Sequence, residues 1–332
     1  MNVAVVGVGL IGGSVALAAR RGGAAVRGVD PDARAARAVD ELCDLEQALA
    51  GAEVAVVATP LGVLPDTLDA VLAAAGADCA VTDVGSAKRV AMRADERFVG
   101  GHPLAGAELA GVDHARADLF DGATWYLVPT PRTSGLMLDR LYRFVSDLGA
   151  RPVTIDAELH DRLMATISHL PHVLANVLVE QAAALGEPAT GPSFRDATRV
   201  AGANPALWPD ILLANRDALA EQIETAERRL AEVRAALDSG DREALARWQS
   251  IAAQRRDGLV EAALHSGPTR EVRLSVPNRP GVVAELTLAL GGAGINISDM
   301  SLTPAPDNTR GEIAFWVPAR DYDRALQLVK DV

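Results

Sequence analysis

The sequence predicts an α/β protein in three parts: an N-terminal doubly wound parallel sheet, an all-helical middle and a small C-terminal α+β unit. Three observations carry this prediction. Short β-branched runs alternate with helical stretches as far as residue 155, strand signals vanish from Asp156 to Leu264, and a β-α-β-β-α order follows residue 270. Length agrees, because 332 residues exceed one ordinary core and suggest two or three domains of about 150 residues.

Taken in order, NVAVVG is a short strand of β-branched residues, the glycines and apolar LIGGSVALAARR form a turn opening a helix, and VRGVD is a second strand. EVAVVATP, CAVTDVGS and RFVGGHP repeat the pattern, each a strand ending in a polar or Gly/Pro-rich loop. Such alternation predicts a Rossmann-type parallel sheet with helices on both faces and ligand loops at the carboxyl ends of the strands. TWYLVP and RPVTID complete this first domain, residues 1–155.

AELHDRLMATISHL and RDALAEQIETAERRLAEVRAAL are long helices, the second with apolar residues at helical spacing and a heavily charged remainder. Residues 156–265 are therefore read as an all-helical domain whose exposed apolar stripes suit dimerisation. HSGPT is a linker. In residues 270–332, EVRLSV is a half-buried strand, PNRPG a turn and VVAELTLALGGAG a helix; INISDMSL and GEIAFWV are strands around PDNTRG, and YDRALQLVK is the closing helix. This is a ferredoxin-like unit without its final strand, so the chain is expected to be shortened at its C terminus.

Composition narrows the functions. Hydrophobic residues at 49% and charged residues at 23% allow a sizeable core and argue against disorder. Forty-four acidic against 32 basic residues give a net charge of −12, and no basic stripe with interleaved aromatics is present. Nucleic acid is not an expected partner. Lysine occurs only at Lys88 and Lys330, so an anionic substrate should meet a planar, bidentate guanidinium. Cys43 and Cys79 form no CxxC and no metal pattern; a reducing cytoplasm and no metal are expected. Val3 to Ala19 is uncharged, but Arg20 and Arg21 follow that run and glycines interrupt it. Neither an export signal nor a membrane span is expected.

Gly7, Gly9 and Gly12 form GxGxxG at the exit of the first strand. Missing side chains there tighten the turn, let the backbone approach a pyrophosphate and aim the helix N-terminus at it. Leu10 and Ile11 complete the loop, and Thr59 and Pro60 end a later strand on the same side of the sheet. Asp30 ends the second strand eighteen positions after Gly12, where a carboxylate accepts from ribose hydroxyls and repels a 2′-phosphate. The expected cofactor is NAD rather than NADP, with Arg34 the nearby residue that argues the other way.

His102 follows the fifth strand signal, between glycines and Pro103. An imidazole with an ordinary pKa of about 6.5, at the nicotinamide end of a dinucleotide, suits proton transfer. Gly100, Gly101, Pro103 and Gly106 would fix the backbone, and Glu108 would orient the ring or guard the entrance. Ser86, in DVGSAK, would face the same crevice, or else cap a following helix. Serine hydrolysis is set aside for want of a nucleophile elbow. ISHLPH puts His169 and His172 on one helix face around Pro171, which must start or kink a helix. Substrate contact suits His172 better than metal, because no acid or cysteine completes a ligand set. In FRDATRVAGANPALW, Arg199 would bind a substrate carboxylate with Asp196 aligning it, the bland reading being an exposed ion pair.

Together VGVGLIGGS, DVGSAK, GGHPLAGAE, SHLPH, DATR and NPALW, in that order along nearly the whole chain, resemble the prephenate and arogenate dehydrogenase family of tyrosine biosynthesis. The resemblance implies a Rossmann domain joined to a helical dimerisation domain, with the active site between them. It implies NAD-dependent oxidation of prephenate with loss of carbon dioxide to give 4-hydroxyphenylpyruvate, or of arogenate to tyrosine. By the same analogy His102 accepts the hydrogen bond of the C4 hydroxyl, Ser86 assists, Arg199 binds a carboxylate, and Glu108, His172, Asp196 and Trp208 shape the pocket. VPNRPGVVAEL and GAGINISDM resemble an ACT domain, which implies a ligand loop around Asn278, Pro280, Gly281 and Asn296 and tyrosine as effector. Two rivals stand beside this reading. A β-hydroxyacid dehydrogenase would need a lysine in the helical domain, which is absent; a non-catalytic NAD and amino-acid sensor would not need His102, Ser86 and Arg199 together.

Overall fold

The computed structural model describes all residues except 106–110, 187–188, 265–268, 278, 280, 305–309 and 331–332. The first unit runs β1 (Asn2–Val6), α1 (Leu10–Arg21), β2 (Ala25–Val29), β3 (Glu41–Leu42), α2 (Leu45–Leu49), β4 (Val54–Val57), α3 (Leu64–Ala74), β5 (Ala80–Asp83), β6 (Phe98–Pro103), β7 (Thr124–Val128), α4 (Gly135–Asp147) and β8 (Arg151–Thr154). Its sheet has the order β3-β2-β1-β4-β5-β6-β7-β8. The strands read as continuous apolar runs because helices cover both faces: β4 is buried at every position. Alternate residues divide the core. Val3, Val5, Val54 and Val56 pack towards α1 and α4, while Ala4, Val6, Ala55 and Val57 pack towards α2 and α3.

Two features depart from the expected uniform parallel sheet. The two-residue β3 is too short to leave a pattern in sequence. β7 runs antiparallel to β6, with Gly100 opposite Val128 and His102 opposite Tyr126; among the described residues, the connection between them carries a short 3-10 turn, Val112–His114, and no crossover helix. His102 therefore lies within a strand rather than in the loop after it.

The helical unit comprises α5 (Ala157–Met164), α6 (Leu170–Ala183), α7 (Pro192–Thr198), α8 (Trp208–Ala214), α9 (Arg216–Asp238) and α10 (Arg242–Leu264). AELHDRLMATISHL is not one regular helix. Residues Ala165–His169 form a π turn, and Pro171 stands in the first turn of α6. Proline has no N–H for the preceding turn, and the wider π geometry absorbs the missing bond.

The last unit is β9 (Thr269–Pro277), α11 (Val282–Gly292), β10 (Asp299–Pro304), β11 (Arg310–Pro318) and α12 (Tyr322–Lys330), with an antiparallel sheet ordered β10-β11-β9. It docks on the first unit and shares its core: Val283, Leu286, Ile297 and Phe315 join Leu138, Leu141 and Tyr142 of α4 in one apolar cluster. The Tyr142 hydroxyl donates to the Ile297 carbonyl at 2.8 Å. Of the linker HSGPT, all but Thr269 lies outside the described residues. No helix among the described residues is long and apolar enough to cross a membrane.

Candidate active site

A cleft of about 940 Å³ opens at the carboxyl ends of the strands, between the first unit and the helical unit. Its floor on one side is the glycine loop. Gly7 has φ +89°, and a Cβ there would strike the Ala58 carbonyl; a Cβ at Gly12 would overlap the Gly7 carbonyl oxygen, whereas one at Gly9 would meet nothing within 4 Å. The first and third glycines are thus demanded by packing and the middle one faces open space, the arrangement a pyrophosphate needs above the N-terminus of α1.

Asp30 lines the cleft. One of its carboxylate oxygens accepts from the Val8 amide at 2.6 Å and the other from Asp32 at 2.8 Å, which ties the end of β2 to the glycine loop. Each oxygen keeps a lone pair for a ribose hydroxyl. Arg34 is engaged by Asp32 and Asp113. Leu10, Ile11, Thr59 and Pro60 also line the cleft, and the Thr59 hydroxyl is buried without a hydrogen-bond partner among the described residues. An orphaned hydroxyl on the cleft wall, a glycine cradle and a carboxylate at the second strand together fit a dinucleotide.

At the other end of the cleft stand Ser86, His102, Arg199 and Trp208. Ser86 is half-buried, and turns rather than a helix follow it, so the capping alternative falls away. Arg199 lines the cleft from the turn after α7. Asp196 is exposed and does not line the cleft. His172 is also displaced from its expected place. It stacks on Trp208 with ring centroids 3.4 Å apart and lines a smaller side cavity of about 130 Å³, while His169 takes the cleft wall. Both rings meet Trp208, His172 stacked on it and His169 edge-on with centroids 6.2 Å apart. Glu108 lies outside the described residues, as do Asn278 and Pro280. Gly281 has φ +85°, and its amide donates to the Thr133 carbonyl of the first unit at 3.1 Å; Asn296 is exposed.

His102 is held from behind. Its Nδ1 lies 2.9 Å from Nε2 of His160, whose Nδ1 lies 2.8 Å from the Asp161 carboxylate. That carboxylate also accepts the Lys88 amide at 2.7 Å and the Arg89 amide at 3.0 Å. Burial alone would raise the Asp161 carboxyl, but the bonds from His160 and the two amides outweigh it and hold it below the ordinary carboxylate range. Burial, with His160, Lys88 and His169 nearby, pushes His102 well below 6.5. It is a neutral imidazole at pH 7 and can take a proton.

Lys88 is fully buried and does not line the cleft. Its ammonium binds the Asp83 carboxylate and the Gly101 carbonyl, while Asp83 accepts the Gly101 amide at 3.0 Å. Both backbone groups of the residue before His102 are thereby fixed. Asn215, also buried, donates to the Asp161 carbonyl at 2.7 Å and reaches Nδ1 of His169 at 3.2 Å. Sequence reasoning missed Lys88, His160, Asp161 and Asn215 as parts of the site. The scarcity of lysine and the adjacent His-Asp of AELHDR were the available signals.

Residues 15–154, 156–250 and 270–332 match, respectively, the families described as prephenate dehydrogenase, nucleotide-binding domain; prephenate dehydrogenase, dimerization domain; and ACT domain. The prephenate dehydrogenase of Bacillus subtilis is 32% identical over 335 residues, covering 93% of this chain and 90% of that protein. Arogenate dehydrogenase from Synechocystis superposes with a TM-score of 0.70 at 30% identity, over 78% of this chain and 100% of that one. Prephenate dehydrogenase from A. aeolicus, in complex with hydroxyphenyl propionate and NAD+, gives 0.69 at 27% identity, over 77% and 98%. With the glycine cradle, the cleft histidine and the three matched segments in one chain, the protein belongs to the prephenate dehydrogenase family.

Proposed function

We propose that this chain catalyses the NAD-dependent oxidative decarboxylation of prephenate to 4-hydroxyphenylpyruvate. The observation that carries the reading is the neutral His102 imidazole, anchored through Nδ1 and lining a cleft that also holds Ser86, Arg199 and the glycine cradle. Gly7, Gly9, the first turn of α1 and Asp30 would hold NAD, which when bound would supply the hydride acceptor. His102 Nε2 takes the proton of the C4 hydroxyl while that carbon loses hydride, and carbon dioxide leaves as the ring becomes aromatic. The same proton then returns to the phenolic oxygen, so the overall change releases none. Ser86 helps seat the hydroxyl, and Arg199 holds a carboxylate.

The helical unit joins two copies as a homodimer, and the C-terminal unit takes tyrosine as effector. Free thiols at Cys43 and Cys79 and a nicotinamide substrate pool suit the cytoplasm.

The deciding experiment measures NADH formation in initial-rate assays with prephenate and with arogenate, each with NAD and NADP. The highest kcat/KM is expected for prephenate with NAD. Higher efficiency with arogenate would change the substrate, and no NADH from either would end the reading. Arg199→Ala should raise the prephenate KM by roughly 10- to 100-fold, as loss of a charge-assisted pair does, with the NAD KM unchanged; an unchanged prephenate KM would remove Arg199 from the binding site.

A further inference from the structure

Asp161 stands where the two units meet, and two chains of hydrogen bonds leave it for the cleft. One runs from its carboxylate through His160 to His102. The other runs from its carbonyl through Asn215 to His169. Every member of both chains is buried except His102, which is half-buried at the cleft wall.

We infer that Asp161 fixes the two cleft imidazoles in complementary tautomers, His102 presenting a bare Nε2 to substrate and His169 presenting an Nε2–H. On the first chain, the Asp161 carboxylate carries no proton, so Nδ1 of His160 must donate to it. A neutral His160 then has a lone pair on Nε2, and only a protonated Nδ1 of His102 can face that lone pair at 2.9 Å. The proton of His102 is thereby held on the side away from substrate.

On the second chain, the Asn215 amide is oriented twice over. Its oxygen accepts from Arg89 at 3.3 Å and its nitrogen donates to the Asp161 carbonyl. The same nitrogen faces Nδ1 of His169, which must accept and carry its proton on Nε2. Burial pushes His169 down to about 4, so it stays neutral.

The consequence is a cleft with one neutral acceptor and one neutral donor. When the substrate O–H bond breaks and an N–H bond forms at His102 Nε2, the charge gained is stabilised through Nδ1–H to His160 and from there to the Asp161 anion. The proton returns by the reverse step as the phenol forms. His160 and Asp161 touch no reacting atom in this scheme; they are positioning residues. The inference rests on reading His102 as the proton acceptor.

The test pairs nitrogen-15 histidine NMR of the substrate-free protein, which reports tautomers, with steady-state kinetics of His160→Phe and His160→Gln. Phenylalanine keeps the ring and removes the acceptor; glutamine restores an acceptor oxygen. In the wild type His102 should be the Nδ1–H tautomer and His169 the Nε2–H tautomer. His160→Phe should lose the His102 preference, leave His169 as it was, and lower kcat by about 10- to 100-fold, a part of what removing the base itself costs. Both KM values should stay near wild type, and His160→Gln should recover most of the rate. The inference is overturned by a wild-type His102 protonated on Nε2, by a His160→Phe enzyme of normal kcat, or by equal losses in both variants, which would mark a packing role only. Because the tautomers are read without substrate, they stand or fall separately from the choice of prephenate.

Discussion

His102→Asn lowers kcat by roughly 10²–10⁴-fold, the loss expected when a positioned general base is removed, while the KM for NAD stays within about twofold. Asparagine is the informative replacement. It reaches about as far as Nδ1 and can keep a hydrogen bond to His160, but it cannot take a proton. The cofactor end of the cleft is built from the glycine loop, Asp30 and Thr59, none of which bonds to His102. A variant that bound NAD weakly would therefore show a damaged cleft rather than a missing base. Near-normal turnover would exclude His102 from proton transfer.

Lys88→Met destabilises the protein by about 3–5 kcal/mol, the cost of leaving one partner of a buried pair uncompensated. The Asp83 carboxylate would keep the Gly101 and Gly85 amides but lose the only ammonium that faces it among the described residues. For units of this size the expected fall in Tm is roughly 6–20 °C. Adding Asp83→Asn removes the stranded charge, so the double variant should regain part of that loss. Equal stability of wild type and Lys88→Met would mean that the pair contributes nothing, and that the backbone on either side of Gly101 is held by the strand alone. Reduced turnover should accompany reduced stability, because the clamped residue immediately precedes His102.

Local physics made much of this site legible in advance. The glycine loop could be read because its demands are local: Gly7 needs a left-handed backbone and Gly12 has no room for a Cβ. Asp30 followed from its place at the end of β2. His102 and Ser86 could be read because both end strands of one sheet, and ligands gather where such strands end. Asp161 could not be read that way. Its meaning comes from Lys88 and Arg89, 73 and 72 residues earlier, and no spacing rule connects them. His160 likewise meets His102 across 58 residues. The place of His172 also depends on a partner that spacing does not reveal. The His172 ring stacks on Trp208, which lies far along the chain, and faces the side cavity; Asp196 sits exposed on a short helix. The reversal of β7 goes with a connection that has no crossover helix among its described residues, which composition alone does not reveal.

The most direct test of the central claim is the pH dependence of kcat/KM for prephenate, measured on the wild type and on His102→Asn, because this ratio reports ionisations of the free enzyme. A base must be neutral to act, so activity should fall as pH drops through its pKa. Burial and the neighbouring His160, Lys88 and His169 put that fall below pH 6.5. The expected result is an acid limb in the wild type that is missing from the residual activity of His102→Asn; the same limb in both proteins would contradict the assignment of His102 as the proton acceptor.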